Sequence, residues 1–173
     1  MKCFPFMKDI EGKSCLIVGG GTVALRKAEK LLPFGVNIRV CAKEACPALS
    51  RHVCAEEYEA ALVRGADLVI AATDDGELNA RIARDCREAG VPVNSVDDKN
   101  NCDFYFPALI VRGSVTIGIS TGGSSPALAA ALREYIESVL PENLEEIARE
   151  AEKLRGGAGY ESCVAAAFGR GKR

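Results

Sequence analysis

The sequence is poor in the features that would make it a metal protein, a membrane protein or a general nucleic-acid binder. It has one histidine, His52, and its eight cysteines (Cys3, Cys15, Cys41, Cys46, Cys54, Cys86, Cys102 and Cys163) include no C-x-x-C pair. Zinc and iron sites favour clustered His and Cys, so no metal site is expected. The scattered thiols, several inside apolar runs such as Cys15-Leu16-Ile17-Val18, read as small buried hydrophobes of a reducing compartment. Long apolar runs are also missing. The longest candidate, 60–73, is interrupted by Arg64 and Asp67, short of the roughly 18 residues a spanning helix needs. The first nine residues turn charged at Lys8-Asp9, before any signal-peptide core forms, and a cytoplasmic protein with no membrane partner is expected. Neither sign of charge dominates: 22 Lys and Arg stand against 24 Asp and Glu, a net charge of −2. General nucleic-acid binders are usually basic, so no nucleic-acid partner is expected. Apart from the Gly-rich stretch from Gly156 to the end, no repeat or low-complexity segment interrupts the chain.

What is present is enough apolar material for a core: 48% of 173 residues are hydrophobic and 27% charged, the balance of a soluble globular domain with an appendage. Apolar runs at 13–18, 36–41, 67–72 and 91–96, with a weaker one at 52–55, alternate with helical periodicity from Val23 to Leu32 and from Glu77 to Ala89. A short helix is expected near 57–62. Strands alternating with helices at this spacing predict βαβ units and a parallel, Rossmann-like sheet. After Asp98 the rhythm changes. Residues 108–111 and 115–120, joined by Arg112-Gly113-Ser114, predict a hairpin. Ser124-Ser125-Pro126 opens a helix to Leu140, and Pro141-Glu142-Asn143 starts another to about Arg155. The fold class is therefore α/β, with a nucleotide domain over 1–113, a small α+β segment over 114–140 and a short helical tail over 141–173.

The first chemical signal is Gly19-Gly20-Gly21-Thr22-Val23-Ala24, a G-x-G-x-x-G/A pattern between a predicted strand and helix. Gly19 suits the tight turn, Gly21 lets backbone approach a pyrophosphate, and Ala24 lets helix and strand pack closely. The helix amino terminus offers N–H groups to the phosphates. The acid usually found about twenty residues on, which holds the ribose hydroxyls, has only Glu44 as a counterpart. Its neighbour Lys43 would suit a 2′-phosphate, so NAD and NADP both remain open. Thr73, in Ala71-Ala72-Thr73-Asp74-Asp75 at the end of a predicted central strand, lies on the ligand edge of such a sheet. Thr73 or Asp74 equally suits a cap for the helix that follows.

Further motifs follow in order: Asn94-Ser95-Val96-Asp97-Asp98, Phe106-Pro107-Ala108, and Ile119-Ser120-Thr121-Gly122-Gly123-Ser124-Ser125-Pro126. Together with the glycine loop and Leu78-Asn79, they make the chain over residues 5–155 resemble the siroheme-synthase family of precorrin-2 dehydrogenases, some of which are also sirohydrochlorin ferrochelatases. The resemblance implies a homodimer with a dimerisation segment. The implied reaction is NAD-dependent oxidation of precorrin-2, a tetrapyrrole, to sirohydrochlorin, with Fe²⁺ insertion as a further step in some members. It assigns cofactor contacts to Thr22-Val23 and Lys43-Glu44 and the catalytic aspartate to Asp97. The chain departs from the family after Arg155, where fuller members carry a longer helical region.

Macrocycle oxidation removes a hydride and a proton, and a carboxylate at a strand end can accept the proton. Burial and the adjacent Asp98 would be expected to raise the pKa of Asp97; a solvated turn at 97–100 is the plainer alternative. Precorrin-2 carries several carboxylates, for which Arg112 and Arg133 offer guanidinium forks. Thr121 and Ser124, leading into a helix amino terminus, form a candidate anion site or simply a cap. Arg26 and Lys27 near the first helix start are candidates for phosphate or substrate contact or a solvated face. A nucleotide-sensing Rossmann module without catalysis is the competing reading, and a thiol-based sensor a more distant one.

Overall fold

The computed structural model describes residues 4–157 and 159–168. Cys3 and the end of the expected tail, 169–173, lie outside the described residues. The chain divides into two compact units between Tyr105 and Phe106.

The unit from Phe6 to Tyr105 runs β1 (Ser14–Val18), α1 (Thr22–Leu31), β2 (Asn37–Cys41), α2 (Pro47–Ser50), β3 (Val53–Ala55), β4 (Leu68–Ala71), α3 (Gly76–Ala89) and β5 (Val93–Ser95). The strands form one parallel sheet in the order β3-β2-β1-β4-β5, as the alternating pattern predicts. Val18 pairs with Cys41 on one side and Ala71 on the other, and Ala71 pairs with Ser95. The carboxyl ends of β1, β2, β4 and β5 therefore finish level. That edge, where the strand order reverses about β1, is the ligand edge of an open α/β sheet.

Burial explains the elements. Cys15, Leu16 and Ile17 of β1 and Val69, Ile70 and Ala71 of β4 are fully buried, as strands covered on both faces must be. In α1 the buried positions are Ala24, Ala28 and Leu31, one face of a 3.6-residue period. In α3 they are Asn79, Ile82, Ala83 and Cys86, and the helix stops at Gly90 with φ +68, a left-handed cap that glycine adopts without strain. The expected helix near 57–62 is instead a 3₁₀ turn at Ala60–Val63 with Val63 as its one buried residue. A single anchor does not supply the apolar face an α-helix needs.

The second unit is built on β6 (Ala108–Arg112) and β7 (Val115–Ile119), an antiparallel hairpin, then α4 (Pro126–Val139), α5 (Leu144–Lys153) and α6 (Tyr160–Ala167). Arg112 pairs with Val115, so the boundary expected at Gly113 falls in the hairpin turn. Two strands sharing a ladder belong to one unit, and the division precedes β6. Helix α4 begins with Pro126 behind Ser125, whose hydroxyl accepts the Leu128 N–H at 3.1 Å. No helix among the described residues is long and apolar enough to cross a membrane.

Candidate functional site

A cleft of about 770 Å³ opens at the level carboxyl ends of β1, β2 and β4, within the range of pockets that take small ligands and cofactors. It is lined by Gly19, Gly20, Gly21, Thr22 and Val23 from the glycine loop, Lys43 and Glu44 after β2, Glu56, Glu57 and Tyr58 after β3, and Thr73, Asp74, Asp75, Leu78 and Val96 from the β4 and β5 side. All seven residues expected to contact a cofactor, Gly19, Gly21, Thr22, Val23, Lys43, Glu44 and Thr73, thus line one cavity.

The loop is shaped by close approach. Gly19 has φ +118, its N–H donates to the Cys41 carbonyl at 2.9 Å, and a Cβ there would stand 2.2 Å from the Ala72 carbonyl oxygen. Gly20, to which the motif gives no fixed role, is just as constrained: a Cβ would stand 2.1 Å from the Glu44 carbonyl oxygen, while the Gly20 carbonyl accepts the Cys46 N–H at 2.8 Å. Gly21 is different, with nothing within 4 Å of where its Cβ would be. It begins α1 with no side-chain cap and no acidic residue in the first turn. Unscreened N–H groups and a positive helix end beside open space suit an anion such as a pyrophosphate, so the residues fit a dinucleotide.

At the β2–β3 end, Lys43 Nζ lies 2.9 Å from Glu57 Oε1. That hydrogen bond and charge raise the Lys43 pKa and lower that of Glu57. The Tyr58 hydroxyl donates to Asp85 at 2.8 Å, and its pKa is raised by burial first and by the Asp85 carboxylate second.

The β4–β5 side carries a hydrogen-bond network. Asp75, rather than Thr73 or Asp74, caps α3, one carboxylate oxygen accepting the Glu77 and Leu78 N–H groups at 2.9 and 3.0 Å. This frees Thr73 for the cleft wall, where its hydroxyl donates to Asn79 Oδ1 at 2.8 Å. Asn79 Nδ2 in turn donates to Asp97 Oδ2 at 3.0 Å, and the Ser95 hydroxyl donates to Asp97 Oδ1 at 2.5 Å. Asp98 does something else: it caps the turn Lys99–Asn101 by accepting the Asn100 N–H at 2.8 Å. The two adjacent carboxylates are divided, one on the strand-end network and one on the turn. Asp97 is itself exposed and is joined to the cleft-lining Thr73 through Asn79.

The expected rise in the Asp97 pKa is not found. Desolvation is the largest single influence and does push it up, but donors from Asn79, Ser95 and the backbone of 97 and 98 together outweigh it. They leave the carboxyl below the ordinary aspartate range. Hydrogen bonds to the charged form favour it. Lys27 turns inward, its Nζ donating to Asn94 Oδ1 at 3.0 Å and so tying α1 to β5; burial lowers its pKa.

In the second unit, Arg112 and Arg133 are both bound to one carboxylate, Glu137. Thr121 and Ser124 are engaged within their own loop. The Thr121 hydroxyl donates to the Ser125 carbonyl at 3.0 Å, and that of Ser124 to the Thr121 carbonyl at 2.6 Å. The residues that sequence reasoning passed over are Gly20, Asn79, Ser95 and Glu57. Only Asn79 carried a local signal, a carboxamide at a core position of the α3 period.

Comparison with known proteins follows these two units. A family described as NAD(P)-binding matches residues 6–108, and one described as sirohaem biosynthesis protein central matches 112–138. Siroheme synthases of Sodalis glossinidius and of Neisseria meningitidis serogroup C are each 40% identical over 90% of this chain. The chain spans about a third of their length, 35% and 34%. A solved structure, SirC, precorrin-2 dehydrogenase, superposes with a TM-score of 0.70 at 23% identity, covering 88% of this chain and 79% of the other, and so shares the fold. With one model over the whole nucleotide unit, more than half of the chain, the chain belongs to the family of NAD(P)-binding proteins, and across both units it is similar to siroheme synthases.

Proposed function

We propose that this protein oxidises precorrin-2 to sirohydrochlorin with NAD⁺. The observation that carries the reading is the single hydrogen-bonded path Thr73–Asn79–Asp97, which joins the wall of a dinucleotide-shaped cleft to an ionised carboxylate. Bound NAD⁺ supplies the hydride acceptor. The residues of the chain do the rest. The first turn of α1 holds the pyrophosphate, Gly19 and Gly20 fix the loop against the neighbouring strand ends while Gly21 lets backbone approach the ligand, and Asp97 accepts the proton that leaves the macrocycle. The lowered pKa of Asp97 keeps its carboxylate ionised at neutral pH but makes it a weaker base, so Asp97 acts by where it is held rather than by strong basicity.

The same cleft supports NAD over NADP. Glu44, Glu56 and Glu57 gather at the ribose end, and Lys43, the one cation lining the cleft among the described residues, is already paired with Glu57. A 2′-phosphate would meet repulsion there, whereas a 2′-hydroxyl can donate to a carboxylate. For the substrate carboxylates, Arg112 and Arg133 remain the candidates. Each guanidinium carries five N–H donors, more than Glu137 takes up; Thr121 and Ser124, just ahead of α4, are further candidates. We further propose a homodimer. On α4, Leu128, Leu132, Tyr135 and Val139 are exposed at 4-3-4 spacing, the seam of a helix that packs on a second copy.

The test is anaerobic turnover of enzymatically prepared precorrin-2 with NAD⁺, read by sirohydrochlorin absorbance, alongside calorimetric titration with NAD⁺ and NADP⁺. Product formation that is lost in Asp97→Ala, with NAD⁺ affinity within about threefold of wild type, supports the reading. NAD⁺ binding with no oxidation sinks it in favour of a nucleotide-sensing module. Adding Fe²⁺ to the completed reaction decides the second step, since acceleration of metal insertion over an enzyme-free control assigns it to this protein.

A further inference from the structure

Asn79 is the one fully buried polar side chain of the nucleotide unit with no exposure at all. It lies on the face of α3 that also carries Ile82, Ala83 and Cys86, where an apolar residue would be the ordinary choice. Every polar atom of its carboxamide is engaged. Oδ1 accepts the Thr73 N–H at 3.2 Å and the Thr73 hydroxyl at 2.8 Å, while Nδ2 donates to the Thr73 carbonyl at 3.1 Å and to Asp97 Oδ2 at 3.0 Å. Thr73 lines the cleft, and Asp97 lies two residues beyond the end of β5. A buried carboxamide with two acceptor and two donor contacts is costly to place and costly to break. Of the side chains of this size, Leu could make none of these contacts, and Asp could accept but not donate.

We propose that Asn79 is the positioning residue of the reaction: its carboxamide locks the Thr73 wall of the cleft and the Asp97 carboxylate into one rigid arrangement. Asn79 touches neither reacting atom and acts through Asp97, and the proposal rests on the reading of Asp97 given above. The cleft wall would fix where the dinucleotide lies and Asp97 where the proton leaves, so Asn79 sets the distance between the two events. Ser95 holds the other carboxylate oxygen, which leaves Asp97 no freedom to swing once Asn79 is in place.

The test compares wild type, N79D, D97N and N79D/D97N by thermal unfolding and by steady-state turnover of precorrin-2 with NAD⁺. N79D keeps the size and the two contacts in which Oδ1 accepts from Thr73, but loses the donation to the Thr73 carbonyl and sets a second carboxylate against Asp97. Its melting temperature is expected to fall, and kcat to drop about 10- to 100-fold with KM for the tetrapyrrole within about threefold. In N79D/D97N the donor and acceptor have changed places. The melting temperature is expected to recover part of the way toward wild type, a non-additive result, with the bond to the Thr73 carbonyl still lost, while kcat stays low because no carboxylate remains at 97. Should N79D not be recovered folded, N79S serves for the kcat and KM comparison, and recovery of folded N79D/D97N is itself the rescue. Additive effects on melting, or a kcat in N79D and N79S equal to wild type per folded molecule, would overturn the proposal. A wild-type protein that binds NAD⁺ and oxidises nothing fails the functional reading and with it the positioning role. Normal wild-type turnover with no coupling in the cycle overturns this inference alone.

Discussion

The two units bury their apolar residues very differently. From Phe6 to Tyr105 a five-stranded sheet is covered on both faces, and its centre is fully dry. Among the described residues from Phe106 onward only Ile110, Ala129 and Leu144 are buried, while Leu128, Leu132, Tyr135, Val139, Tyr160 and Phe168 stand exposed. A hairpin with three helices is too small to bury such a set on itself. The first unit has the means to be stable alone and to hold a cleft in shape. The second leaves an apolar seam exposed on α4, and the homodimer proposed above is built on that seam.

The contrast breaks most sharply in the core. Ile82 is fully buried in the cluster that packs α3 on β1, β4 and β5, and Ile82→Ala is expected to cost about 2–5 kcal/mol, read by denaturant unfolding. Alkali attacks the same core. Burial raises the pKa of Cys15 and of Cys86 from near 9 to about 12. Between those values the unfolded chain binds fewer protons than the folded one, so stability falls as pH rises. The slope is about 1.4 kcal/mol per pH unit for each thiol. Unfolding midpoints at pH 8, 9, 10 and 11 check it; a flat profile would mean the thiols are not dry.

A smaller effect tests the seam. Leu132→Glu places a charge in the middle of the α4 stripe and is expected to weaken self-association by at least about tenfold, roughly 1.4 kcal/mol. Light scattering across micromolar concentrations reads it. Unchanged mass in the variant, or a monomeric wild type, would leave the exposed seam without the occupant proposed for it.

The sequence made the sheet, the glycine loop and the hairpin legible because each is encoded in neighbouring residues: period 2, period 3.6, or a turn dipeptide. The residues alone did not distinguish Asp97 from Asp98, which only the family resemblance separated, since the choice depends on Asn79, eighteen positions away in the chain, reaching one of them and not the other. The Asp97 pKa was misjudged for the same reason. Desolvation and a like-charged neighbour are visible in sequence, whereas the converging donors of Asn79, Ser95 and the backbone appear only after folding. Gly20 looked like a free position of the motif until the Glu44 carbonyl was seen beside it. The short helix expected at 57–62 is a 3₁₀ turn because its residues favour a helix locally while only Val63, just beyond them, is buried.

The smallest effect sharpens the comparison furthest, because it makes the same chemical cut in both units. Asp75 caps α3 and Ser125 caps α4, each through a side-chain oxygen that accepts a first-turn N–H. Loss of either cap, Asp75→Ala or Ser125→Ala, is expected to cost about 1 kcal/mol. The two costs should respond differently to protein concentration. Helix α3 is held by its own sheet, so the Asp75→Ala loss is a property of the single chain and constant on dilution. Helix α4 carries the exposed seam, and if a second copy covers it, the stability of that unit includes a mass-action contribution. The midpoint for Ser125→Ala should then fall further as the protein is diluted a hundredfold, while that of Asp75→Ala does not move. Parallel behaviour of the two variants would mean that both units stand alone, and that the apolar stripe on α4 serves something other than self-association.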